Sequence, residues 1–162
     1  MNTSIAMDGV LRGDTGDLII DGLMVYRAFK VLGRVTLFTD LPRSMAEVWL
    51  IMHGMPDFDD LIDSSVRIDP KEPLRYRQIA VTRSNGPINM YIDADPSVVA
   101  EAMRLGIPTM LYSSPQYVRP EFRPDAPKGV RKWDDLVNER SRQQAMKAVD
   151  PRLKDEEFST FE

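Results

Sequence analysis

Three apolar runs in this chain end in side chains that could do chemistry. Ile5-Ala6-Met7 leads into Asp8 and Gly9, Val35-Thr36-Leu37-Phe38 leads into Thr39 and Asp40, and Ile88-Asn89-Met90-Tyr91-Ile92 leads into Asp93-Ala94-Asp95. An acid at the carboxyl end of a buried strand sits where ligands of open α/β sheets sit. There it can move a proton or hold a hard cation. The residue two places before Asp8 is Ala6, a methyl group, and that position governs which chemistry remains.

The elements that must carry these residues alternate between strand and helix. After Asp8, the stretch Val10 to Ile19, with Gly13 and Gly16 inside it, reads as a small hairpin flap. Ile20, Leu23, Met24, Ala28, Val31 and Leu32 then repeat with a helical period until Gly33, a C′ candidate. Ser44-Met45-Ala46-Glu47 is a capping box that predicts a helix start, with a stop near Gly54. Met55 to Ile62 reads as a loop or short helix, and Val66-Arg67-Ile68 as a short strand. Asp69-Pro70 and Asp95-Pro96 both carry the signature of an N-cap followed by proline at N1. The second helix leads through Gly106 to a last strand, Ile107 to Tyr112. This alternation predicts an α/β fold with an open, mostly parallel sheet, helices on both faces, and an additional C-terminal helix.

The predicted organisation is an α/β core over residues 1–112, a Pro/Arg-rich connecting segment over 113–130, a helix over 131–149 and an acidic, frayed tail over 150–162. In the connecting segment, Tyr117 and Phe122 are positioned to staple the chain to the core surface. The C-terminal helix has a thin apolar face of Trp133, Leu136, Val137 and Met146, which suits docking on the sheet or on a protein partner.

Composition excludes several classes. The net charge of −4 offers no electrostatic case for nucleic acid. With no cysteine, disulfides, thiolate metal sites and a cysteine nucleophile are ruled out. No apolar run reaches the length of a membrane span, and Met1-Asn2-Thr3-Ser4 lacks the basic and apolar regions of a secretory signal. A soluble, cytoplasmic protein is the expectation. No Gly-x-Gly-x-x-Gly or Walker-type loop follows any strand, so nucleotide folds of those kinds are unsupported. The single histidine, His53, falls in the last turn of a helix, where it complements the dipole. Asp57, Asp59 and Asp60 lack the spacing of a calcium loop and read as a solvated charge run.

Strand, Asp8-Gly9-Val10-Leu11, flap, helix, and a strand ending in Thr39 together resemble the haloacid dehalogenase (HAD) superfamily, in its minimal capless form. The resemblance covers about Thr3 to Tyr112. It implies that Asp8 is the general acid, that Thr39 is the hydroxyl of the second motif, and that a lysine or arginine ahead of the last motif completes the site. Lys71, Arg75 and Arg77 all stand where that last residue could be, with Lys71 the first of them. It further implies Mg²⁺ held near the strand ends, for which Asp8, Asp93 and Asp95 are the acids available. The Arg119 to Pro124 stretch and Trp133-Asp134-Asp135-Leu136 are similar to small HAD-like proteins of actinobacterial phages, which implies an assembly or virion component.

Two departures from the family pattern bear on activity. The family nucleophile falls on Ala6, and the second acid of the family's acidic pair falls on Ala94. A methyl group cannot form an acyl phosphate, and Mg²⁺ loses its anionic ligands. The expectation is a degenerate site, no bound cofactor, and service as a binding or structural module. The alternative is a Mg²⁺-dependent phosphohydrolase acting on a small phosphate ester or nucleotide, in which Asp8, Asp93 or Asp95 takes over the missing roles.

Overall fold

A computed structural model describes residues 1–113 and 133–149. The expectations for the Pro/Arg-rich segment, including Tyr117 and Phe122, and for the acidic tail lie outside the described residues. The chain divides into two units, Met1–Tyr112 and Ser113–Glu162.

Unit one alternates strictly: β1 (Asn2–Ala6), α1 (Ile20–Leu32), β2 (Arg34–Phe38), α2 (Arg43–Met52), β3 (Asp60–Ile62), α3 (Leu74–Asn85), β4 (Met90–Asp93), α4 (Pro96–Arg104) and β5 (Thr109–Leu111). The five strands form one sheet in the order β3-β2-β1-β4-β5, with every neighbouring pair parallel. This is a Rossmannoid arrangement, the order also found in HAD-like folds. Successive strand residues point to opposite faces, and each face has its own core. Ile5, Leu37, Leu61 and Ile92 pack with Tyr26 of α1 and with Ala46 and Leu50 of α2. Phe38 and Tyr91 pack with Ile79 of α3 and with Val98 and Ala102 of α4. Helices on both faces are what a parallel sheet needs, because neither face can be left to water.

Two glycines are required by close approach. A Cβ on Gly22 would lie 1.7 Å from the Val10 carbonyl oxygen, so α1 can rest on the loop after β1 only with hydrogen there. Gly33, expected as a left-handed C′ residue, is extended at φ 164°. Its Cβ would meet the Met1 carbonyl at 2.2 Å, so this glycine serves strand entry rather than helix termination.

Four local expectations are corrected. Residues 10–19 form no regular hairpin. Isolated bridges join Asp8 to Arg12 and Arg12 to Leu18, and of the two flap glycines only Gly16 takes positive φ. Val10 and Leu11 are fully buried, so the loop turns into the core instead of extending as a ladder. The capping box does not cap: α2 begins at Arg43, whose N–H donates to Asp63 Oδ2 at 3.1 Å, while Glu47 pairs with Arg43 at 2.8 Å. The third strand is Asp60–Ile62 rather than Val66–Ile68, since Leu61 and Ile62 reach the two cores whereas Ile68 is exposed. Finally, α3 begins at Leu74 with Pro73 in the N-cap position. The residue before a proline is disfavoured in the helical region, so Glu72 cannot be helical and the start moves past Asp69-Pro70. The other acid-proline pair behaves as read: Asp95 caps α4 by accepting from the Ser97 N–H at 2.9 Å, with Pro96 in the first turn.

The second unit is described through α5 (Trp133–Val149). Among its described residues Glu139 is buried, accepting from Arg142 at 2.9 Å and Gln143 at 3.0 Å, while Trp133, Met146 and Val149 are exposed. No helix among the described residues is long and apolar enough to cross a membrane.

Candidate functional site

The chain leaves β1 toward β2 on one side and returns from β3 to β4 on the other, so the order reverses between β1 and β4. The crevice beyond the carboxyl ends of those strands is the place where such sheets bind ligands. Asp8 follows β1 there, and Asp93 ends β4.

Asp8 is held by three donors. Its Oδ2 accepts the Thr39 hydroxyl at 3.0 Å and the Asp40 N–H at 2.8 Å, and its Oδ1 faces Arg12 Nη1 at 3.4 Å. Thr39 is fully buried at the end of β2, and its Oγ1 also accepts from the Leu41 N–H at 3.1 Å. Asp8 and Thr39 are therefore brought together as one hydrogen-bonded unit by the parallel pairing of β1 and β2.

Of the three basic residues considered, Arg75 is the one that reaches the crevice. It lies in the first turn of α3, with its Nη2 3.1 Å from Asp40 Oδ1, its Nε 3.5 Å from Asp93 Oδ2, and its Nη1 donating to Gln78 Oε1 at 2.8 Å. Burial works against its charge, but the carboxylates of Asp93, Asp40 and Asp8 outweigh it and hold the guanidinium protonated above its ordinary range. Lys71 lies in the exposed turn before α3, and Arg77 donates to the Val66 carbonyl. Arg75 and Gln78, three residues apart within α3, share the face turned to the strand ends, and Arg75 donates to Gln78 there, whereas Lys71 precedes the helix.

Asp93 is almost fully buried. It accepts the Tyr91 hydroxyl and, at 2.9 Å, the Asp95 N–H, besides facing Arg75. Burial pushes its carboxyl upward, against the pull of the Arg75 cation and these donors. The neighbouring Tyr91 phenol is pushed up by the same burial and by the Asp93 charge. Asp95 is occupied as the α4 cap, accepting from both the N–H and the hydroxyl of Ser97.

Gln78 was not singled out by sequence reading, yet it knits the strand ends together. Its fully buried amide donates to the carbonyls of Thr39 at 2.8 Å, Ile62 at 3.1 Å and Asp63 at 3.0 Å. The available signal was a polar residue on the face that also carries Ile79, where a buried amide must find partners.

The two methyl positions complete the picture. Ala6 is fully buried and Ala94 nearly so, and both belong to the apolar cluster of Ile5, Leu37 and Ile92. Magnesium wants about six oxygens in near-octahedral array. Among the described residues no three acids or histidines come together as a metal-holding group. Asp8, Asp93 and Asp95, the acids considered for this role, are each committed to protein donors. The residues present do not fit Mg²⁺, and no step through it is derived.

The remaining candidates are tied into the fold. His53 Nδ1 lies 2.7 Å from the Trp49 carbonyl, with its ring stacked on Trp49 at 4.1 Å. The acidic run lies at the surface as read, with Asp57 and Asp59 exposed, and both also bond to neighbours: Asp59 pairs with Lys30 at 2.6 Å and accepts from the Val35 N–H at 2.7 Å, while Asp57 accepts the Tyr26 hydroxyl at 2.8 Å.

The arrangement thus offers a partly exposed Asp8 beside Arg75, which bridges the buried Asp93 and the exposed Asp40, with no carboxylate at the position two residues before Asp8 to attack a phosphorus or carbon centre. Compared with protein-family profiles, with curated proteins and with solved structures, the chain matches none of them.

Proposed function

We propose that this protein is a capless HAD-like domain that no longer catalyses phosphoryl transfer and serves as a binding or structural module. The observation that carries this reading is the fate of the crevice residues. Ala6 and Ala94 bring methyl groups into an apolar cluster, and the acids around them are spent on internal hydrogen bonds and ion pairs. Covalent transfer needs a carboxylate or comparable nucleophile, and none stands there. Protein contact as the working mode is supported by the outer side of α2, where Met45, Val48 and Met52 form an exposed apolar stripe. The thin apolar face of α5 and the Pro/Arg-rich sequence that precedes it suit the same role.

The finer assignment, to the small HAD-like proteins of actinobacterial phages with an assembly or virion role, rests on sequence resemblance alone. The resemblance lies in residues 119–124 and 133–136.

The test is phosphate release from p-nitrophenyl phosphate and nucleoside monophosphates with Mg²⁺ present. No turnover above buffer is expected. Turnover that disappears in Asp8→Ala would overturn the reading and establish the phosphohydrolase alternative.

A further inference from the structure

A cavity with a mixed polar and apolar lining opens near the end of the sheet where the strands begin, away from the Asp8 crevice. Its volume is about 140 Å³. That far exceeds the ~10–15 Å³ a single water needs, and falls below the ~300–1,000 Å³ of pockets for drug-sized ligands. The cavity therefore suits a small guest.

Its floor is a row of side chains in register across three strands. Ser4 of β1 lies beside Thr36 of β2, and Thr36 beside Asp60 of β3. Arg34, two residues before Thr36 on the same face, and Asn85 in the last turn of α3 also line it. The opposite face of the same strands carries Ile5, Val35 and Leu37. A strand covered on both sides is ordinarily apolar on both, so the polar row departs from what packing alone would select.

These polar groups are also unspent. Ser4 is only 2% exposed as a residue, but its hydroxyl opens to the cavity; among the described residues it makes no side-chain hydrogen bond, and neither do the side chains of Thr36, Arg34 and Asn85. Asp60 uses Oδ1 to accept from the Leu61 N–H at 2.8 Å, which leaves Oδ2 for another donor. A hydroxyl that faces a cavity and has no protein partner is free to bond to whatever fills it. The charges in the cavity are of both signs: the Arg34 guanidinium on one hand, and on the other the Asp60 carboxylate with the C-terminal end of α3, whose terminal carbonyls carry partial negative charge.

We propose that this cavity binds a small zwitterion of amino-acid size, its carboxylate on Arg34, its ammonium on Asp60 and the end of α3, and its polar middle on Ser4 and Thr36. The site uses neither Asp8 nor Asp93, so it stands or falls separately from the reading of the crevice.

The experiment is an amide ¹H–¹⁵N titration of the full chain with L-serine as probe, with acetate, methylammonium and glycerol as comparisons. Saturable shifts at Ser4, Thr36 and Asn85 are expected, with a Kd of about 1 mM or tighter. Acetate, methylammonium and glycerol should each bind more weakly. Arg34 is exposed and makes no side-chain hydrogen bond among the described residues, its interaction being the charge contact with Asp59, so Arg34→Gln should lower the melting temperature only slightly while affinity falls about tenfold. Absence of saturable shifts with L-serine, equal binding of glycerol, or equal affinity in both Arg34→Gln and Asp60→Asn would each overturn the proposal.

Discussion

Arg75 Nε lies 3.5 Å from Asp93 Oδ2, and this pair joins the first turn of α3 to the end of β4 inside a nearly dry crevice. The same guanidinium reaches Asp40 at 3.1 Å beyond β2, so one cation spans the point where the sheet order reverses. In an open site these groups would be available to a ligand. Here they bond to one another.

Removing that cation should cost much of the fold's stability. Arg75→Met leaves Asp93 buried without its counter-ion, and breaking a buried pair in this way costs about 3 kcal/mol or more. Urea unfolding measures it. Arg75→Met combined with Asp93→Asn should be less destabilised than the sum of the single changes. Strict additivity would mean that the two side chains do not interact.

Gln78→Leu conserves size but leaves three strand-end carbonyls without their amide donor. A loss of about 2 kcal/mol is expected in the same measurement. Amide exchange should also quicken at Thr39 and Ile62 if the clamp holds β2 against β3.

Gly22→Ala forces a methyl group to within 1.7 Å of the Val10 carbonyl oxygen. The clash is with backbone, which cannot swing away as a side chain can, so α1 must lift from the loop after β1. Overpacking of this kind costs about 3 kcal/mol. A melting temperature equal to the parent's would show that the helix rests there less tightly than the geometry requires.

Acid should weaken the protein through Asp59. Burial alone would raise its carboxyl, but the Lys30 ammonium and the Val35 N–H outweigh it and hold it below the ordinary 3.8. The folded state therefore favours the ionised form. The stabilisation is fully present above pH 3.8 and is lost as pH falls through the lower folded value. In a series of urea midpoints, Asp59→Asn should be less stable than the parent near neutrality and should lose less on acidification. Parallel curves for the two proteins would exclude this pair as a contributor.

On the proposed HAD-like reading, placing carboxylates at positions 6 and 94 should create affinity for a cation. Ala6→Asp with Ala94→Asp places acids in a buried apolar cluster, so the metal-free variant should melt lower than the parent. Mg²⁺ should raise its melting temperature and leave the parent's unchanged. Tight Mg²⁺ binding by the parent in titration calorimetry would contradict the ligand argument.

Much of the architecture could be read locally. Short apolar runs ending in Asp8, Thr39 and Asp93 mark strands, and Asp95-Pro96 marks a helix start, because each signal lies within a few residues of the element it describes. Alternation of those elements sufficed for an open parallel sheet with helices on both faces. Where competing local signals were present the reading failed: Pro73 overrode Asp69-Pro70, and a carboxylate from Asp63 overrode the Ser44 box.

The amino-acid sequence by itself determined the order of strands and helices and the absence of acids at positions 6 and 94, since both are properties of neighbouring residues. Only the tertiary structure decided that Arg75 rather than Lys71 reaches Asp93, that Gln78 clamps the strand ends, and that Ser4 and Thr36 share a cavity floor. Those relationships join residues dozens of positions apart. They are set by strand register and by where a helix begins against the sheet, which no local pattern encodes.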